Sequence, residues 1–258
     1  DALADAATER DAALASIPSS SSDLTVPAVP APHALYSASP DLLRRIFAAA
    51  AAVGRPTSIH VAEDAAELDL LRDGTGPWAA VLTVMGVDPR ERAPGLTPLA
   101  YLDTLGAFAN AAAPPLLVHM VHAGDDDRRR AAAAGATVVL CPRSNLHIGG
   151  RVPDVTALVA AGVRLAMGTD SLASVPDLSL WGEIATLSEH FPALPASTWL
   201  AAATHGGARA LGMTDLGRLE PDCRPGLLDV VTNASGAANP EDALVRDPRP
   251  SVRWLVHA

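Results

Sequence analysis

Five polar side chains sit at comparable places in short apolar runs of the chain: His33, His60, His119, Asn145 and Asp170. A carboxylate, Glu63, follows His60 by three residues. An imidazole and a carboxylate leaving one strand end together suit a metal ligand beside a proton shuttle. Asp170 adds a hard anionic ligand that can also take a proton from an attacking water, and three or four nitrogen and oxygen ligands suit catalytic zinc or iron(II). Each residue has a plainer reading when taken alone. A strand histidine is commonly a hydrogen-bonded core residue, Glu63 could be the acid of a helix's first turn, and Asp170 after Gly168-Thr169 could close a turn. Their coincidence at strand ends selects the chemical reading.

Side chains so placed meet only if the strands run parallel and their C-terminal ends converge on one face, as in an α/β barrel. The sequence predicts five such strands, at 24–29, 57–61, 115–121, 136–140 and 163–167, alternating with helical patterns. Ser39 and Pro40 read as the N-cap and first residue of a helix running to Gly54, and the acidic stretch 63–73 reads as a helix ending at Gly74. Residues 74–96, with Gly76-Pro77-Trp78 and Pro94-Gly95, read as a long loop over one end of the sheet, of the kind that serves as a lid. Thr97-Pro98 opens the next helix, and Asp125, Asp126 and Asp127 open another that Gly135 stops. Further helices are expected over 181–190 and 199–211, with two short strands at 227–231 and 252–256. Strand alternation puts His119 on the side of Leu117 and Val121, pointing inward, and leaves His122 on the rim.

Composition bounds the answer. With 258 residues, 49% of them hydrophobic, the chain can bury a sizeable core. Its formal net charge of -10 repels nucleic acid and anionic membranes, and no apolar run reaches the roughly 18 residues of a membrane span. A small-molecule substrate is therefore the expected partner, with neither nucleic acid nor membrane, and self-association into a homo-oligomer is left open. Two distant cysteines, Cys141 and Cys223, make no disulfide framework, so a cytoplasmic setting is expected. Arg128-Arg129-Arg130 beside three aspartates reads as a solvated helix face, and Trp78, Trp181 and Trp199 read as packing residues. No P-loop, glycine-rich nucleotide fingerprint or nucleophile elbow occurs. The expected organisation is an Ala/Ser-rich segment at 1–23, an α/β portion at 24–222 and a C-terminal β appendage at 223–258.

From His33 to about Val231 the chain resembles the metal-dependent amidohydrolase superfamily, in the branch of cytosine, guanine and adenosine-type deaminases and triazine chlorohydrolases. The segments that carry the resemblance are Ala31-Pro-His-Ala-Leu-Tyr-Ser37, Ile59-His-Val-Ala-Glu63, Val118-His-Met-Val-His122, Cys141-Pro-Arg-Ser-Asn145 and Gly168-Thr-Asp-Ser171. The resemblance implies a (β/α)8 TIM-barrel type fold, of which the chain holds the C-terminal five βα units, with part of a small β-sandwich. It also implies one divalent metal, zinc before iron(II), held by His60 and Asp170, with Asp170 accepting the proton of the attacking water. Glu63 matches the carboxylate that carries protons to the ring nitrogen and leaving group, and His119 the histidine that orients the nucleophile. His33 matches a substrate-contacting histidine, and Arg143, Ser144 and Asn145 match the seventh-strand segment, with Arg143 and Asn145 assigned to substrate binding. Trp78, Gly76-Pro77 and Asp170-Ser-Leu-Ala-Ser174 look most like the aminodeoxyfutalosine deaminase branch.

The implied activity is hydrolytic deamination of a small amino-substituted heterocycle or nucleoside. The family's His-x-His pair, which supplies two more metal ligands, occurs nowhere in this sequence. Two alternatives follow: an inactive truncated fragment, or a hydrolase that expels chloride or an amide nitrogen.

Overall fold

Ser39 caps the start of a helix as its side chain dictates, its hydroxyl accepting a hydrogen bond from the Leu42 amide at 3.2 Å, while Pro40 takes the first turn. This helix, α1 (Pro40–Ala52), buries Leu43, Ile46, Phe47 and Ala50 along one stripe. The structure, a computed structural model, describes residues 29–232 and 239–256. Four short strands follow: β1 (Ser58–Val61), β2 (Leu116–His119), β3 (Thr137–Leu140) and β4 (Arg164–Met167). They pair in parallel in the order β1-β2-β3-β4, the order that consecutive right-handed βα units produce. Among the described residues they form an open arc. The expected strand at 24–29 lies almost wholly outside the described residues. The chain after it does lie along β1, where Ala34 bridges His60 in parallel and the His60 amide donates to the His33 carbonyl at 2.9 Å.

The strand expected over 115–121 stops at His119. His119 and Met120 take φ of 77° and 55°, and a left-handed pair cannot continue a pleated ladder. Alternation therefore holds only as far as His119, which is buried with Leu117, and His122 lies half-buried beyond the strand. The helix expected from Glu63 starts two residues later, as α2 (Ala65–Asp73), because the Asp64 side chain caps the Ala66 amide at 2.9 Å. Glu63 is thereby left outside the helix. Gly74, at φ 72°, ends α2 in the left-handed conformation that glycine accepts without strain.

The expected loop over 74–96 is largely helical, a correction to the sequence reading. It holds α3 (Gly76–Val84) and a 3-10 turn, Pro89–Arg92. Its apolar content explains the difference. Ala79 and Leu82 pack on Leu70 of α2, with Tyr36, Trp78 and Val87 around them, and a hydrophobic cluster of its own fastens the segment. Helix α4 (Pro98–Thr104) precedes β2, and α5 (Asp125–Ala133) follows it. On α5 the Arg and Asp runs make the expected exposed pairs, Arg128 with Asp125 and Arg130 with Asp126. Asp127 departs from that pattern. It is buried and accepts from the Leu99 amide at 3.0 Å, tying α5 to α4.

After β3 come α6 (Pro142–Gly149) and α7 (Val155–Ala160); after β4 come α8 (Leu180–His190), α9 (Ala196–Ala201), a π-helical turn (Ala202–Gly206) and α10 (Gly207–Ala210). A Cβ at Gly206 would stand 2.5 Å from the Leu165 carbonyl oxygen, so only glycine lets the π turn lie against β4. Trp199 is fully buried in the main hydrophobic cluster, with the Phe191 ring 6.2 Å away, and packs as expected. The chain ends in a separate antiparallel pair, β5 (Leu227–Val231) and β6 (Ser251–Val256), with α11 (Pro240–Arg246) between them. Among the described residues no helix is long and apolar enough to cross a membrane.

Candidate active site

Among the described residues five non-glycine residues have positive φ, and four of them, Ala62, His119, Met120 and Asp170, lie at or just past the C-terminal ends of β1, β2 and β4. Holding an L-residue there costs on the order of 1–3 kcal/mol, and such strain persists where surrounding contacts over-determine it. These turns swing side chains inward over the sheet end, and the sequence-predicted residues meet there. The rings of His33 and His60 are 5.0 Å apart, and those of His60 and His119 are 5.1 Å apart. Ligand atoms of Glu63, His119 and Asp170 all lie within 4.8 Å of one another. His60 stands beside this trio.

Hydrogen bonds fix the tautomers. The His60 Nδ1–H donates to the His33 carbonyl at 2.9 Å, which leaves Nε2 with its lone pair. Asn145, buried, donates from Nδ2 to His119 Nδ1 at 2.8 Å, so His119 carries its hydrogen on Nε2. That nitrogen faces Glu63 Oε1 at 3.3 Å. Asp170 Oδ2 accepts from the Ser144 hydroxyl at 2.5 Å and from the Ser174 hydroxyl at 3.0 Å. His33 Nδ1 meets the Ser37 hydroxyl at 2.8 Å.

Glu63 Oε1, His119 Nε2 and Asn145 Oδ1 are buried and make no hydrogen bond. Two of these atoms, Glu63 Oε1 and His119 Nε2, face each other at 3.3 Å, and buried polar atoms without partners call for a further group beside them. The Asp170 carboxylate, with the free Nε2 lone pair of His60 nearby, suits a divalent cation of zinc or iron type. Burial, and then the neighbouring His60, depress His119 to about 4, so it is neutral at neutral pH. Burial raises Glu63, against the pull of His60. Burial would also raise Asp170, but the two serine hydroxyls and the neighbouring histidines hold it below its usual value.

Arg143 does not join the cluster. Its guanidinium pairs with Asp177 at 2.7 Å and approaches Glu183 at 3.7 Å. A Cβ at Gly182 would stand 2.5 Å from Nη1, so the arginine lies directly on a helix that offers no side chain there. It lines a cleft of about 670 Å³ between α8 and α11. Arg143, expected to bind substrate, is engaged here with two acids. These acids lie 34 and 40 residues downstream.

The sequence reading gave no role to Glu67, one turn beyond Glu63 on the buried face of α2. No well-formed hydrogen bond reaches either oxygen, and burial pushes it to about 8, which the nearby backbone N–H groups of Ala62 and Glu63 only partly offset. The folded protein therefore keeps a proton that the unfolded chain releases above its ordinary value of 4.5. The sign is that stability falls as pH rises between those two values. Glu67→Gln is expected to flatten that fall. Urea midpoints taken from about pH 5 to about pH 8 check it, and an unchanged slope in the variant would contradict it.

The pattern of the Amidohydrolase family matches residues 3–235. Aminodeoxyfutalosine deaminase from Deinococcus radiodurans is 42% identical over 188 residues, covering 70% of this chain and 44% of that protein. 5-methylthioadenosine/S-adenosylhomocysteine deaminase from Pelotomaculum thermopropionicum is 32% identical over 204 residues, covering 76% and 42%. Among solved structures, an adenosine deaminase from Xanthomonas campestris with bound zinc superposes with a TM-score of 0.67 at 31% identity, covering 84% of this chain and 47% of that one. The chain spans under half the length of the curated relatives it matches.

Proposed function

Since the chain belongs to the amidohydrolase family, we propose that it carries the proton-handling part of a metal-dependent hydrolytic deaminase for a small amino-substituted heterocycle or nucleoside. The observation that carries this reading is the meeting of Glu63, His119 and Asp170 within 4.8 Å, beside His60. His60 through Nε2, together with Asp170, would hold the metal, zinc before iron(II). When bound, such an ion lowers the pKa of the attacking water.

The chain's own residues do the rest. Asp170, held ionised by its serine donors, accepts the proton that the water loses. His119, neutral and fixed by Asn145, offers its Nε2–H to orient the attacking oxygen. Glu63, raised by burial, gives a proton to the ring nitrogen as the oxygen adds to the carbon bearing the amino group. Glu63 then passes the proton of the newly added hydroxyl to the amino group, the carbon–nitrogen bond breaks and ammonia leaves, a carbonyl remains, and Asp170 returns the proton it took from water to Glu63. His33, exposed at the edge of the histidine row, contacts the substrate. The partner is a small molecule, and a cytoplasmic setting belongs to the same proposal, in keeping with the two free thiols Cys141 and Cys223.

The test is ammonia release from aminodeoxyfutalosine, 5-methylthioadenosine, S-adenosylhomocysteine and adenosine. Release from at least one is expected. Chloride release from a chloro-substituted ring, with no ammonia from any amine, would replace the deaminase reading with the chlorohydrolase one.

A further inference from the structure

Two hydroxyls from different elements converge on a single oxygen. Ser144 lies in the first turn of α6, after β3, and Ser174 lies in the segment after β4. Both donate to Asp170 Oδ2, at 2.5 and 3.0 Å. Ser144 is fully buried and Ser174 nearly so, so water does not compete for either hydroxyl. Among the described residues no donor meets Oδ1. Asp170 holds φ at 62°, in the left-handed region that aspartate enters more readily than most side chains do.

The segment that carries Ser174 is itself braced against the start of α6. Arg143, next to Ser144, reaches Asp177 at 2.7 Å and the Ser179 carbonyl at 3.4 Å, while its backbone N–H donates to Glu183 at 2.9 Å. Adjacent residues of α6 thus grip the 170–179 segment at both ends. The separation of roles follows: Oδ2 is committed to the protein, and Oδ1 is left for a cation or a proton.

We propose that Ser144 and Ser174 are positioning residues, which lock one oxygen of Asp170 so that the other is presented in a fixed direction. The inference rests on the metal-dependent reading above. Partners of this kind, bonded to a metal ligand from behind, change metal affinity by about 10–100-fold when removed.

The experiment is zinc titration of the full chain against a chromophoric chelator, with the thermal transition recorded for each form. Wild type is expected to bind about one zinc per chain. Ser144→Ala is expected to bind it about 10–100-fold more weakly, Ser174→Ala more weakly by a smaller factor, and Ser174→Thr, which keeps the hydroxyl, as wild type does. If Ser144→Ala fails to fold, the Ser174 pair of variants decides. Wild-type affinity in folded Ser144→Ala and Ser174→Ala would overturn this inference and leave the metal reading standing. A folded wild type that binds no zinc would overturn both.

Discussion

Replacing Glu63 by Gln is expected to lower the rate of ammonia release by about 10²- to 10⁴-fold, the range that positioned acid–base groups contribute. The substitution keeps the volume and the hydrogen-bonding outline of the side chain, and removes only its ability to gain and lose a proton. Glu63 is suited to that traffic because burial raises it while His60 opposes the shift. It also stands outside α2, so no cap or helical turn depends on it. The variant should therefore fold and hold metal as wild type does. Steady-state ammonia release and metal content measured on the same preparation separate the two properties. Turnover within about threefold of wild type would remove Glu63 from the proton path.

Asp170→Asn is expected to have the second large effect, on binding as well as on rate. The neutral amide cannot accept the water's proton, and it takes away the anion that the Ser144 and Ser174 hydroxyls address. Hydrogen bonds to a charged group are worth about 1.5–3 kcal/mol, so these hydroxyls lose much of their hold on the residue. Metal affinity should fall by more than about 100-fold, beyond the effect of either serine substitution alone, and ammonia release should drop to background. A titration that found wild-type affinity in Asp170→Asn would exclude Asp170 from the ligand set.

The chemistry-bearing residues were legible because each follows a short apolar run ending in a turn, and parallel strands bring such ends together. His60, Glu63, His119, Asn145 and Asp170 are gathered on that account. Some features have no local signal. Nothing in His119-Met120 announces two left-handed residues, since neither is glycine, asparagine or aspartate. Residues 74–96 read as a loop because their prolines and glycines stood out, although Ala79 and Leu82 had an apolar partner in Leu70. The direction of Arg143 is set by Asp177 and Glu183, which sequence spacing does not connect to it. Ser174 could have been found from its place four residues after Asp170 in a turn-rich segment. Glu67 could have been found from its place one helical turn after Glu63.

The central claim is that these strand ends assemble a metal-dependent hydrolytic site. Elemental analysis of the full chain, purified without chelator from cells supplied with zinc and iron, tests it most directly, with His60→Ala as control. The account predicts about one zinc or iron per folded wild-type chain, lost in His60→Ala. Folded wild-type protein carrying no metal, or a metal content that His60→Ala leaves unchanged, would contradict it.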